Sequence, residues 1–243
     1  MNAAKYALAF GAILFFASTS FGDPIVTTVS ITFQVGSGTA FGGVYVNPYT
    51  ATIGGSTTQV FSDDWAHQVA GQETWTATAI NLASAGTSSP APQFAGHGSV
   101  TTQQLYDAVA FLAGQILANP TPSTEIQDSY AIWDLTCQYE TPTCSTSVES
   151  AYSTAGGSLS ALQLLESQAL STATTASAAG WEVLTPIAGT YTCPTGVTCP
   201  SAGPQEFLVY TTPEPSSVAL VGIGLLGLLG FARPFRRARP LRS

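Results

Sequence analysis

Polar and apolar residues alternate along residues 25–34, with Val26, Thr28, Ser30 and Thr32 on one side and Ile25, Val29, Ile31 and Phe33 roughly on the other. A period of two predicts a strand with one buried face. Gly42-Gly43 breaks the chain, residues 44–53 form a second strand region, Gly54-Gly55 a turn, and residues 57–61 a third strand. The alternation returns over residues 74–82, where Trp75, Ala77 and Ala79 oppose Thr74, Thr76 and Thr78. Residues 83–98, rich in Ser, Pro and Gly, predict a loop.

The period then changes. Leu105, Ala108, Val109, Leu112, Ala113, Ile116 and Leu117 fall on one helix face, with Thr101 and Gln104 spaced as a capping box and Asn119-Pro120 as the stop. Pro122 suits the first position of a second helix reaching about Leu135, with Ile126, Tyr130 and Trp133 on its buried side. A third helix is predicted from Ser158 to about Leu170 on Leu159, Leu162, Leu165 and Ala169. Strand patterns close the series at residues 181–187 and 205–211. The expected fold class is α+β: one domain, a β-sandwich or barrel carrying two or three helices.

Charge narrows the functions open to such a domain. The 243-residue chain has 14 acidic and 6 basic residues, and only 8% of it is charged. The basic residues are Lys5, Arg233, Arg236, Arg237, Arg239 and Arg242, so residues 23–212 contain no Lys or Arg and thirteen of the acids. Nucleic-acid binding through phosphate neutralisation is excluded, as are phosphate clamps and Schiff-base lysines. Cohesion must come from apolar burial, backbone hydrogen bonds and disulfides. The four cysteines, Cys137, Cys144, Cys193 and Cys199, are even in number. Local pairing, Cys137 with Cys144 and Cys193 with Cys199, closes two short loops around Thr141-Pro142-Thr143 and Pro194-Thr195-Gly196. Crossed pairings are the alternative, and the spacings do not match short zinc knuckles.

Within the body, Asp63, Asp64 and His67 place two carboxylates and an imidazole within five positions. They could hold a divalent cation, or an Asp could cap the turn after the third strand while Trp65 packs inward. Asp128 and Asp134 flank Tyr130–Trp133 and are expected on the wet side of the second helix or at its ends; His97, between two glycines, is expected in a loop. Two histidines cannot make a three-histidine zinc site, and neither HExxH nor GxSxG occurs. No catalytic residue and no cofactor is assigned. The four tryptophans, Trp65, Trp75, Trp133 and Trp181, are expected in the core; exposed, they would suit stacking on sugars.

The two ends have a different organisation. Lys5, a 12-residue apolar run over 6–17 and the small residues of Ser20-Phe21-Gly22 predict a signal peptide at 1–22, removed before Asp23. At the other end Pro213-Glu214-Pro215 precedes an apolar run of 15 residues, 218–232, and a tail carrying Arg233, Arg236, Arg237, Arg239 and Arg242. Fifteen helical residues span roughly 22 Å, a short transmembrane helix that flanking residues extend. The arginines hold the tail in the cytoplasm and place the acidic body outside. This three-part order over residues 213–243 resembles the PEP-CTERM sorting signal. The resemblance implies export by a bacterium with an outer membrane, recognition and cleavage near the motif by an exosortase, and association with exopolysaccharide and biofilm.

A second resemblance concerns the acidic body, 23–212. Residues 43–50, 60–65 and 130–133 look like a recurring ectodomain of PEP-CTERM proteins, which is in turn similar to thioester domains of bacterial adhesins. In those domains a Cys and a Gln form a reactive bond. Here the matching positions look like Ser62 and Ser129, Gln127 lies nearby, and no cysteine precedes Cys137, so the reactive bond cannot carry over. The expectation is a non-enzymatic exported protein. It faces the periplasm from the inner membrane and reaches the cell surface or matrix after processing. Its partners would be the export machinery, the exosortase and exopolysaccharide. The alternatives are a secreted carbohydrate-binding or adhesin-like module and a polysaccharide hydrolase using two acids.

Overall fold

A computed structural model describes residues 27–34, 38–67, 69, 71–140, 142–199 and 203–211. The expected signal peptide, the Pro213-Glu214-Pro215 motif, the apolar run and the arginine tail lie outside these residues. Among the described residues no helix is long and apolar enough to cross a membrane.

The alternating segments form strands β1 (Thr27–Phe33), β2 (Ala40–Phe41), β3 (Val44–Tyr45), β4 (Tyr49–Ile53), β5 (Ser56–Ser62), β6 (Thr74–Asn81), β7 (Trp181–Pro186) and β8 (Phe207–Tyr210). Six of them close an antiparallel barrel in the order β1-β4-β5-β8-β7-β6, with β6 returning to β1. The expected second strand is two pieces. β3 pairs with β2 in a separate hairpin, and β4 joins the barrel. Both glycine pairs are two-residue hairpin turns. Gly42 and Gly43 have φ of 61° and 83°, and Gly54 and Gly55 have 56° and 90°, the left-handed pair that a type I′ turn requires.

The two faces of β5, β6, β7 and β8 bury different cores, while the buried residues of β1 and β4 feed one of them. Ile31, Phe33, Ala51, Val60, Trp75, Ala77, Leu184 and Phe207 pack together in one cluster. Phe33 and Trp75 stack on Phe207 at 5.7 and 5.9 Å between ring centroids. The neighbouring residues of opposite direction, Phe61, Ile80, Trp181, Val183 and Leu208, join a second cluster with the helices. Strand alternation thus supplies both layers from single segments.

Four helices make the second layer: α1 (Thr102–Ala118), α2 (Pro122–Glu140), α3 (Pro142–Thr154) and α4 (Leu159–Thr172). The capping box at Thr101 and Gln104 is formed in both directions, and Leu105, Ala108, Val109, Leu112, Ala113 and Ile116 are fully buried. Leu117, expected on that face, is exposed; the buried stripe ends one position earlier. α3 is the helix that the sequence did not predict. Its hydroxyl-rich composition conceals a stripe of Cys144, Val148 and Tyr152 at four-residue intervals. The cysteines pair locally, Cys137 with Cys144 and Cys193 with Cys199. The first bond therefore joins α2 to α3 rather than closing an irregular loop.

Candidate functional site

At the end of β5 the chain turns through Asp63 and Asp64, and three other segments fix this turn. Asn47, just before β4, is wholly buried, and its side chain pairs with the backbone of Ser62. Its Oδ1 accepts from Ser62 N at 2.6 Å and its Nδ2 donates to Ser62 O at 3.0 Å. From α2, Trp133 Nε1 donates to Ser62 O at 3.0 Å, and Thr136 Oγ1 donates to Asp63 O at 2.5 Å. Ahead of β8, Gln205 Nε2 donates to Asp64 O at 2.7 Å and to His67 O. The Asn47 amide donates to Ser129 Oγ at 2.9 Å, so Ser62 and Ser129, the two positions of the thioester resemblance, both bond to one asparagine. Gln127 is exposed on α2.

The two aspartates then part. Asp64 is buried, and its Oδ1 accepts from the amides of Ala66 and His67 at 3.1 and 3.0 Å, the turn cap that the sequence allows. Its Oδ2 meets His67 Nδ1 at 2.7 Å and accepts from Gln93 Nε2 at 2.8 Å. Asp63 is buried in the opposite setting. Neither of its oxygens receives a hydrogen bond among the described residues. Burial first, then the nearby charges of Glu206 and Asp64, push its carboxyl well above the usual range, so it holds a proton. Burial also raises Glu206. Four groups oppose that rise by favouring its ionised form: Thr185 Oγ1, Tyr106 Oη, the Gln93 amide at 2.9 Å and the carboxyl of Asp63.

The ligand atoms of Asp63, Asp64 and His67 are not among those that converge within reach of one ion. Among the described residues, the ligand atoms that converge are those of Glu73, Cys193 and Cys199, and those two sulfurs are tied in a disulfide. Asp128 and Asp134, expected on a wet surface, are buried because α3 and α4 cover α2. Burial raises Asp128 to about 7. Asp134 accepts from Ser145 Oγ at 2.6 Å and shares the Gln138 amide with Glu166, whose carboxyl rises to about 9 through burial and then its contact with Asp134. His97 is an exposed loop residue, as expected.

Asp64 and His67 open onto a pocket of about 540 Å³. Its walls include Trp65, Tyr45, Tyr49, Gln205, Ser147 and Trp133. Trp75, Trp133 and Trp181 are core residues, whereas Trp65 is only half-buried, packed on Trp133 and Tyr130 at 5.3 and 5.9 Å. Its Nε1 donates to Ser147 Oγ at 3.3 Å. The sequence carried no signal for Asn47, Gln93, Ser147, Gln205 or Glu206 as site residues. They come together only through barrel closure and helix packing.

Past the pocket the chain runs through β8 to Tyr210, and residues 211–237 match the PEP-CTERM protein-sorting motif. The chain carries a PEP-CTERM sorting signal. The match contains Pro213, Glu214, Pro215, the apolar run and Arg233, Arg236 and Arg237, and leaves the barrel and helices unmatched. No curated protein and no solved structure matches the chain. The resemblance of the body to thioester domains thus rests on its three short segments alone. The motif implies export and processing by an exosortase.

Proposed function

We propose that this PEP-CTERM protein presents its acidic body outside the cell as a non-catalytic module associated with exopolysaccharide or biofilm. Exosortase processing near Pro213-Glu214-Pro215 would release that body from the inner membrane to the surface or matrix. The sorting motif over residues 211–237 carries the reading. The occupied state of Asp64 supports the non-catalytic part. Two-acid glycoside hydrolysis needs a pair of carboxyls across one cleft. Asp64 is the acid among the pocket's lining residues, with both oxygens engaged, and Asp63 is buried against Glu206. The half-buried Trp65 favours a second reading of the same body, as a carbohydrate-binding module.

The test of sorting is intact mass and fractionation of the protein from its native host beside a Pro213→Ala, Glu214→Ala, Pro215→Ala variant. The wild-type product is expected to begin near Asp23 and end near Pro213, with the variant retained in the inner membrane with its tail intact. If both proteins keep Arg242 and stay in the membrane, exosortase processing is wrong and the tail is an ordinary anchor.

A further inference from the structure

We infer that the pocket between Trp65 and Tyr45 binds an uncharged or amine-bearing oligosaccharide and discriminates against acidic ones. The inference rests on the carbohydrate-binding reading of the body and does not depend on sorting. The pocket's volume of about 540 Å³ is in the range of small-ligand sites, about 300–1,000 Å³. Its walls combine apolar ring surface with hydrogen-bonding groups, the pairing that a sugar's apolar face and hydroxyl edge require. Trp65 is held by Trp133, Tyr130 and Ser147, so stacking on it costs little ordering. Tyr45, at the end of the β2–β3 hairpin, is 51% exposed. Gln205 is locked by its Nε2 onto two carbonyls, which leaves its Oε1 as an oriented acceptor for a hydroxyl.

Two further observations define the ligand. A second hollow, lined by Gly42, Ser147, Ser150, Ala151, Thr154 and Ala155, shares Ser147 with the first. The two hollows lie on either side of Ser147, so a chain of several linked rings can reach both where a single ring fills one. Nothing in residues 23–212 supplies a Lys or Arg, and the charged groups among the pocket's lining residues are Asp64 and the His67 paired with it. A carboxylated or sulfated glycan would meet the Asp64 carboxylate with no Lys or Arg to bind it, and His67 is already paired with that carboxylate, whereas neutral hydroxyls or a glucosamine ammonium meet no such repulsion.

The probes are hexamers of β-1,4-glucan, β-1,3-glucan, α-mannan and glucosamine, with oligogalacturonate as the acidic comparison. They are titrated by calorimetry and tryptophan fluorescence into the processed protein recovered from its host. At least one neutral or amine-bearing hexamer should bind, ten times or more tighter than its disaccharide, with oligogalacturonate weaker still. Tyr45→Ala removes exposed ring surface outside the core and should weaken that hexamer about tenfold. Trp65→Ala should abolish the fluorescence response; Tyr45→Ala guards against its failing to fold. The proposal is overturned if none of the four hexamers binds, if oligogalacturonate binds most tightly, or if Tyr45→Ala leaves affinity unchanged. Mass spectrometry of the same mixtures separates the two readings: shortened oligosaccharides would sink the non-catalytic reading while the ligand class stands.

Discussion

Inside the barrel, Phe33, Trp75 and Phe207 stack ring on ring among Ile31, Val60 and Leu184. At the seam where β5 and β8 meet the helices, and between α2, α3 and α4, Asp63, Asp64 and Glu206 in the first place and Asp134 and Glu166 in the second are buried about as deeply as those rings. Both regions exclude water, but they solve different problems. The barrel core needs only shape and apolar area. The seam must hold carboxyls in a body that has no Lys or Arg to neutralise them. It does so with hydroxyls, amides and retained protons: Thr185, Tyr106 and the Gln93 amide on Glu206, Ser145 and Gln138 on Asp134, and protons on Asp63 and Glu166. A buried acid without a cation thus makes stability a function of pH, while ring packing does not.

The comparison breaks most sharply at Trp75. Trp75→Ala should cost about 3–5 kcal/mol in urea unfolding, with nearly the same cost at pH 5 and pH 8; a loss under 1 kcal/mol would mean the barrel interior is not a packed core. In the seam, Asn47→Ala leaves the buried Ser62 amide without its partner and should cost about 1–3 kcal/mol. Unlike the barrel variant, it should also perturb the Trp65 fluorescence, since the Ser62–Asp64 turn carries that ring. The last test is the titration itself. Glu166 and Asp128 have folded values of about 9 and about 7, above those of an unfolded chain. Their protonated contribution is complete below about pH 4 and is lost as pH rises through those folded values. The melting temperature should therefore fall from pH 5 to pH 9, and Glu166→Gln should make that fall shallower. A melting temperature that rises over this interval contradicts the protonated seam.

The two regions also differed in how plainly the sequence announced them. The Gly42-Gly43 and Gly54-Gly55 turns, the alternation around Trp75 and the capping box at Thr101 are local patterns, and each forms the expected element. Helix α3 escaped because Ser and Thr mask its stripe, and Leu117 was misplaced because periodicity does not say where a buried face ends. Asp128 and Asp134 were assigned to solvent on their charge. Whether a carboxyl is covered depends on a helix that packs later in the chain. The pocket was legible only in Trp65, Asp64 and His67. Gln205 arrives from 138 residues away from His67, and no spacing rule connects them.

β8 occupies the gap between β5 and β7, with Val60 opposite Val209 and Leu184 opposite Phe207. Until those four residues arrive, the sheet is an unfinished cylinder whose two facing edges both offer unpaired backbone, a template for a second copy of the chain. β8 is the last strand in chain order, and the sorting signal follows it from residue 211. A chain broken off before Phe207 therefore lacks both its seal and its label.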